Sequence, residues 1–184
     1  MPFIIAALVL ILDQVSKILC ANLLPALPNA SLPLWNGVFN LTYVENRGAA
    51  FGMLSGVPWL LHTVTAVLVL AIIFILAARY KAMPRLMRYS ICLILAGALG
   101  NVIDRIFLGY VRDMLDFCLI NFYIFNVADA AITVGGVLLA LDILFFKGRV
   151  FLQNELSDGG SKRNKKTDNT PENNVTEETV KRER

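Results

Sequence analysis

The sequence predicts an all-α integral membrane protein of four transmembrane helices with a small extracytoplasmic β-sheet. Three observations carry that prediction. The 184 residues are 57% hydrophobic with a mean hydropathy of +0.62, whereas soluble domains are usually about 45–50% apolar. The excess lies in four nearly uncharged blocks, residues 3–12, 57–78, 89–103 and 127–146. The basic residues cluster beside the ends of these blocks, as loops on one side of a membrane require.

A span needs roughly 20 residues. The second and fourth blocks reach that length alone. The first does so by continuing through Asp13, Ser16 and Lys17 to about Leu24, and the third by running into Asn101 and Asp104. Residues 1–24 lack the basic start of a secretory signal, and Asp13, Gln14 and Lys17 interrupt the apolar run, so they are read as a retained span. Pro25, Pro28 and Pro33 then make a stretch too proline-rich to stay helical. Leu34-Trp35, Asn36-Gly37 and Val38 to Val44 read as strand, turn and strand, because Asn-Gly between apolar runs is a strong hairpin signal. Phe39, Leu41 and Tyr43 share one face of the second strand and Asn40 and Thr42 the other. Such a sheet suits the outer surface of a bilayer, with Trp35, Tyr43 and Trp59 as interfacial anchors. Glu45-Asn46-Arg47-Gly48-Ala49-Ala50-Phe51-Gly52 follows, with glycines that permit tight turns and close approach of a ligand. Helix 2 starts near Pro58, which suits a first turn, and His62 inside it is read as packed or interfacial.

Orientation follows from the cations. Arg79, Lys81, Arg85 and Arg88 lie between helices 2 and 3 with no anion among them, and Lys147 and Arg149 follow helix 4. The positive-inside rule puts both sites in the cytoplasm, and four spans then put the N-terminus there too. The β region, about 25–56, and the connection 107–125 face the other side. Residues 1–149 are one transmembrane domain. Residues 150–184 are a disordered cytoplasmic tail, because from Ser157 onward almost nothing apolar is available to offset ordering entropy. The net charge of +3 divides into +1 over residues 1–146, from 8 basic and 7 acidic, and +2 over 147–184, from 9 and 7. That balance is too small to imply nucleic-acid binding. Cys20, Cys92 and Cys118 show no metal-ligand spacing, and an odd number completes no disulfide framework.

Carboxylates are costly at membrane depth, so those retained there point to function. Asp13 and Lys17 are four apart and share a helix face, which suits a structural ion pair tethering helix 1. Asn101, Asp104 and Arg105 share one face at the outer end of helix 3, where Asp104 beside Arg105 stays ionised and suits a brace or a substrate-binding arm; Ala96, Gly97 and Gly100 just before them are small residues that let a neighbouring helix approach. Asn126 suits the N-cap of helix 4, and Asp129 at its third position complements the helix dipole. Asp113 and Asp129 bracket the connection between the last two spans. Two converging carboxylates share a proton and activate water. Spacing alone does not choose between Asp113 and Asp116 as the partner of Asp129. Asp142, near the opposite face and Lys147, is read as structural.

Taken together, Asp13-Gln14-Val15-Ser16-Lys17, Asn40-Leu41-Thr42-Tyr43 with Asn46-Arg47-Gly48-Ala49-Ala50-Phe51, Gly100-Asn101-Val102-Ile103-Asp104-Arg105, Val111-Arg112-Asp113 and Phe125-Asn126-Val127-Ala128-Asp129 resemble lipoprotein signal peptidase, the bacterial type II signal peptidase. The resemblance covers about residues 10–146. It implies an aspartyl endopeptidase of the bacterial cytoplasmic (inner) membrane, with a site near the outer leaflet, that cleaves diacylglyceryl-modified prolipoproteins just before the lipidated cysteine. By that resemblance Asp113 and Asp129 are the catalytic pair and Asp113 is chosen over Asp116. Asn101, Arg105 and Asn126 line the site, and Asn46 and Gly48 belong to the loop beside it. Met114 departs from an expected aromatic, and the tail is longer than usual. The expected partners are the prolipoprotein and membrane phospholipid, with no cofactor, no metal and a monomeric state. The rival readings are a small proton- or cation-coupled transporter using Asp13, Asp104, Asp113 and Asp129 as a relay, and a hydrolase holding a hard divalent ion.

Overall fold

The computed structural model describes residues 1–48 and 58–154, with side chains in its second helix from residue 63 onward. Ala49 to Gly52, the side chains of Trp59 and His62, and the tail from residue 155 lie outside the described residues. The elements run α1 (Pro2–Leu23), β1 (Ser31–Trp35), β2 (Phe39–Asn46), α2 (Pro58–Arg79), α3 (Arg85–Leu108), β3 (Val111–Asp116) and α4 (Val127–Phe145).

Among the described residues, three helical segments are long and apolar enough to cross a membrane: Pro2–Ala26, Arg85–Leu108 and Val127–Phe145. In α2 the described apolar segment is the shorter Thr63–Arg79. The burial pattern suits an apolar solvent. Ile4, Leu8, Ile11 and Leu19 of α1, Leu70 and Phe74 of α2, and Leu144 of α4 point outward, while Asp13 and Lys17 are fully buried. Charged groups are tolerated at such depth only when they face the interior and pair.

Helix α3 is the central element, packed on α1, α2 and α4. Small residues set its closest approach. A side chain at Gly97 would strike the Ala128 carbonyl, and one at Gly135 would come within 2.8 Å of the Ser90 carbonyl, so neither helix can give way there. This is the small-residue seam expected where helices must meet without a hydrophobic driving force. Gly109 stops α3 at φ 81°, its N–H returning to the Arg105 carbonyl at 3.1 Å, a conformation that costs other residues.

The sheet is antiparallel in the order β1-β2-β3. The expected hairpin is present, closed by Val38 N–H on the Trp35 carbonyl at 2.9 Å, with Gly37 at φ 73°. Strand β3 lies in the connection 107–125, outside the β region expected over about 25–56. Its charged sequence, Val-Arg-Asp-Met-Leu-Asp, has no clear amphipathic alternation. It is a strand because β2 pairs with it, Val44 opposite Asp113 and Asn46 opposite Val111. Phe125 then exchanges hydrogen bonds with Leu115, at 2.7 and 3.1 Å. That bridge brings the start of α4 beside Asp113.

Candidate active site

The start of α4 is built from three directions. Asn126 caps it, its Oδ1 accepting from Asp129 N–H at 2.9 Å while Asp129 Oδ2 accepts from Asn126 N–H at 3.3 Å. This is a capping box. From α1, Asp13 Oδ1 accepts the Ala128 N–H at 2.8 Å, so a carboxylate of another helix complements the positive end of this one. From α3, the Asn101 amide donates to Asp129 Oδ1 at 2.8 Å. Asp129 is therefore a helix-start residue and, through its other oxygen, part of a polar cluster.

Asp113 reaches the same cluster from β3. Its Oδ1 accepts from the Asn126 amide at 2.6 Å and its Oδ2 from the Asn46 amide at 2.9 Å. One asparagine, Asn126, thus touches both carboxylates. Burial pushes the Asp113 carboxyl up to about 6, and the negative charge of Asp129 adds to this. The amides of Asn46 and Asn126 and the ammonium of Lys17 oppose it by favouring the ionised form.

Behind the pair lies a buried ionic chain. Lys17 Nζ sits 2.9 Å from Asp13, 2.9 Å from Asn101 Oδ1 and 3.6 Å from Asp104. Arg112 grips Asp104 with its guanidinium at 2.6 and 3.2 Å and its backbone N–H at 2.9 Å, and reaches Gln14 Oε1 at 3.2 Å. The carboxylate holds Arg112 above its ordinary range. Lys17 and Asp13 thus link α1 to both α3 and α4.

A cavity of about 460 Å³ opens on one side of this cluster. Asp129, Asn101, Asn46 and Arg105 supply its polar wall, and Phe122, Tyr123, Phe125 and Val134 are among its apolar lining. Burial and the charges of Asp113 and Asp129 push the Tyr123 phenol up, so it stays a neutral O–H. Asp113 is 1% exposed and lies behind this wall. The arrangement offers two adjoining carboxylates, one facing a mostly apolar chamber and one shielded.

The sequence of residues 5–145 matches the family described as Signal peptidase (SPase) II. The chain belongs to the signal peptidase II family. Lipoprotein signal peptidase of Clostridioides difficile (strain 630) is 43% identical over 150 residues, covering 81% of this chain and 99% of the relative. The Brevibacillus brevis enzyme of the same name is 44% identical over 147 residues, covering 80% and 96%. Two solved structures of a bacterial membrane enzyme, obtained by the in meso method, superpose with TM-scores of 0.70 and 0.67 at 34% and 33% identity. They are matched over 78% of this chain and over 87% and 92% of their own.

Of the site residues expected for a member of this family, Asn46, Asn101, Asp113, Asn126 and Asp129 meet in one hydrogen-bonded cluster. Arg105 faces the cavity and contacts the Gly48 carbonyl at 3.5 Å, and the Gly48 N–H donates to Asn46 Oδ1 at 3.0 Å. Asp104 turns away from the cavity to Arg112 and Lys17, although sequence spacing set it on one face with Asn101 and Arg105. Asp116 accepts from the Thr42 hydroxyl at 2.8 Å, and Thr42 in turn meets Ser31 at 2.8 Å. That cross-strand chain occupies it within the sheet. Gln14, Arg112 and Tyr123 were not singled out by sequence reasoning. Gln14 and Arg112 stand inside quoted motifs, so a search for partners of the buried acids had a signal to follow; Tyr123 had none. Among the described residues no three His, Cys, Asp or Glu side chains cluster as a metal site.

Proposed function

We propose that the protein removes signal peptides from diacylglyceryl-modified prolipoproteins by cutting before the lipidated cysteine, with Asp113 and Asp129 as an aspartyl pair. The observation that carries this reading is the junction at Asn126, where two carboxylates from different elements meet beside a largely apolar chamber in a member of the signal peptidase II family. Two adjoining carboxylates resist double ionisation, so one proton is shared between them and they titrate as a unit. We place the charge on Asp129, which faces the cavity, and the proton on the shielded Asp113.

In this scheme Asp129 takes a proton from water as the water attacks the scissile carbonyl, while Asp113, which the substrate must reach past the polar wall that shields it, donates to the carbonyl oxygen. The tetrahedral diol collapses as Asp129 passes its proton to the leaving amine and Asp113 recovers one from a diol hydroxyl, which restores the starting pair. Phe122, Phe125 and Val134 give the substrate's apolar part a surface that excludes water, and Arg105 and Asn46 flank the reacting segment. The chain sits in the bacterial cytoplasmic membrane with α2 as a fourth crossing, both termini cytoplasmic, the pair near the outer leaflet, phospholipid around it and one chain per active unit. The cations between α2 and α3 and after α4 support that orientation. The transporter reading is weaker, because the acids gather at one end instead of forming a relay along the bundle.

The test is incubation of the purified protein with a prolipoprotein in its diacylglyceryl-modified and unmodified forms. Cleavage of the modified form alone is expected. Cleavage of neither, with proton or cation flux in proteoliposomes, would replace the peptidase by the transporter. Equal cleavage of both would remove the lipid requirement.

A further inference from the structure

Three asparagines aim amide N–H groups at the two aspartates, and the aim of each is set by a group that can only donate. A primary amide has an oxygen that accepts and a nitrogen that donates on nearly the same shape, so a flip exchanges attraction for repulsion. Asn126 is locked by the Asp129 backbone N–H on its Oδ1, which turns its nitrogen to Asp113. Asn46 is locked by the Gly48 backbone N–H, which turns its nitrogen to the other Asp113 oxygen. Asn101 is different. Its Oδ1 accepts from the Lys17 ammonium at 2.9 Å, and its nitrogen faces Asp129 Oδ1 at 2.8 Å. The Asn126 nitrogen is a second donor to Asn101 at 3.2 Å, but that group is already committed to Asp113 at 2.6 Å.

The backbone therefore fixes the two amides that serve Asp113, and a side chain fixes the one that serves Asp129. We propose that Lys17 is a positioning residue for the peptidase reaction, locking the Asn101 amide toward Asp129 and holding the pair's negative charge on that carboxylate. This rests on the aspartyl-pair reading above. A purely structural ion pair with Asp13 needs only one of the three ammonium N–H groups. Asp104 is already gripped by Arg112, so it makes little further demand on Lys17. The proton spent on Asn101 is the one a structural bridge does not need.

The charged groups that face Lys17 are Asp13 on α1, Asp104 on α3, Asp113 on β3 and Asp129 on α4, with Arg112 beyond Asp104 and Arg105 beyond the acids of the pair. Removing the ammonium leaves the ionised form of the pair less stabilised, so the acidic limb of the kcat profile moves to higher pH. Losing the lock on Asn101 misaims its amide. A misplaced group of this kind costs roughly 100-fold in rate, so Lys17→Met is expected to lower kcat by about that factor with little change in KM.

The deciding experiment is a double-mutant cycle of Lys17→Met and Asn101→Ala in the full-length protein, measured as kcat per folded enzyme on a diacylglyceryl-modified prolipopeptide. If Lys17 acts through Asn101, Lys17→Met in the Asn101→Ala background costs no more than about twofold, the usual scatter of additivity. A full multiplication of the two losses, or a Lys17→Met enzyme with normal kcat and an unmoved pH profile, overturns the proposal. Where Lys17→Met fails to fold, the same cycle is run on Asp13→Asn, so that the buried charges leave together. Failure of the unsubstituted protein to cleave the lipidated peptide sinks the peptidase reading instead.

Discussion

The two ends of the helical bundle bury very different things. At the end that carries the sheet, Asp13, Lys17, Asn101, Asp104, Asp113 and Asn126 are all buried, and each takes part in a short hydrogen bond or ion pair. At the opposite end Leu76, Met83, Met87 and Cys92 form an apolar cluster, with Leu139, Ile143 and Phe151 packed on it. Asp142 is the buried acid beside that cluster, and its Oδ2 finds no partner among the described residues. Burying an ion costs several kcal/mol even after relaxation, and a pair recovers this only with good geometry and further hydrogen bonds. Apolar packing holds helices together without that cost, as the second end demonstrates. The elaborate satisfaction at the sheet end is therefore poorly explained by stability alone, and chemistry at that end explains it better.

The comparison breaks first if the acids at the sheet end prove dispensable. Asp113→Asn or Asp129→Asn is expected to lower cleavage by at least about a thousandfold, the scale of losing a general acid or base, with the protein still folded and inserted. Asp116→Asn is the control. Its oxygen still accepts from Thr42, and processing of a lipidated prolipoprotein should remain near normal. Cleavage surviving in either of the first two variants would detach the reaction from the cluster.

Much of this end was legible in the sequence, and the exceptions share a cause. Asn126 and Asp129 announce an N-cap and a first-turn carboxylate by spacing alone, and the structure joins the two in a capping box. The Asn-Gly hairpin and the small residues of the α3–α4 seam are likewise local signals. Asp113 against Asp116 was not decidable locally, because β3 acquires its strand character from β2, about seventy residues earlier in the chain. Once Val44 lies opposite Asp113, the alternation of a strand fixes which acid joins the cluster and which meets Thr42. Gln14 and Arg112 escaped for the same reason. Their importance is a matter of which acids they meet, and Asp104 looked well served by adjacent Arg105 until the fold turned it to Arg112. Met114, the noted departure, is buried within the sheet end, where a flexible unbranched side chain fills the space.

A second way to break the comparison is to remove one partner from the ionic chain without touching the pair. Arg112→Met leaves Asp104 buried with only Lys17 at 3.6 Å, the Gln14 amide at 3.5 Å and the backbone N–H of position 112 to answer it. Losing one member of a buried ion pair typically costs about 3–5 kcal/mol. A matching fall in stability to thermal or denaturant unfolding in detergent is expected, with a smaller loss of kcat in the fraction that folds. Unchanged stability would mean that the chain is not the brace that the distances suggest.

A third measurement sharpens the assignment within the pair. Asn46 donates to Asp113 and so favours its ionised form. Asn46→Ala removes that donor and raises the Asp113 carboxyl further above its position near 6. The alkaline limb of kcat/KM, where the shared proton is lost, should move to higher pH by about one unit, the equivalent of one hydrogen bond of roughly 1.4 kcal/mol. Lys17→Met removes an ammonium that favours the ionised form of the whole pair and so moves the acidic limb upward as well, which distinguishes the two substitutions on one set of pH profiles. An alkaline limb that stays in place, or moves down, would take the proton away from Asp113.

The smallest effect belongs to the other end. Asp142 sits against Gly148, whose backbone is close enough that a side chain there would lie 2.6 Å from the carboxylate oxygen. A buried acid with an unanswered oxygen is a burden on the fold, and replacing such groups with apolar residues of similar size is often neutral or stabilising. Asp142→Leu is expected to leave unfolding stability unchanged or to raise it by about 1–2 kcal/mol, with kcat and KM as before. Arg112→Met lies at the other extreme of the same measurement, so the pair of variants weighs polar burial at the two ends directly. If Asp142→Leu instead unfolds the protein or abolishes cleavage, the far end carries a function of its own, and the contrast between a working end and a packing end fails.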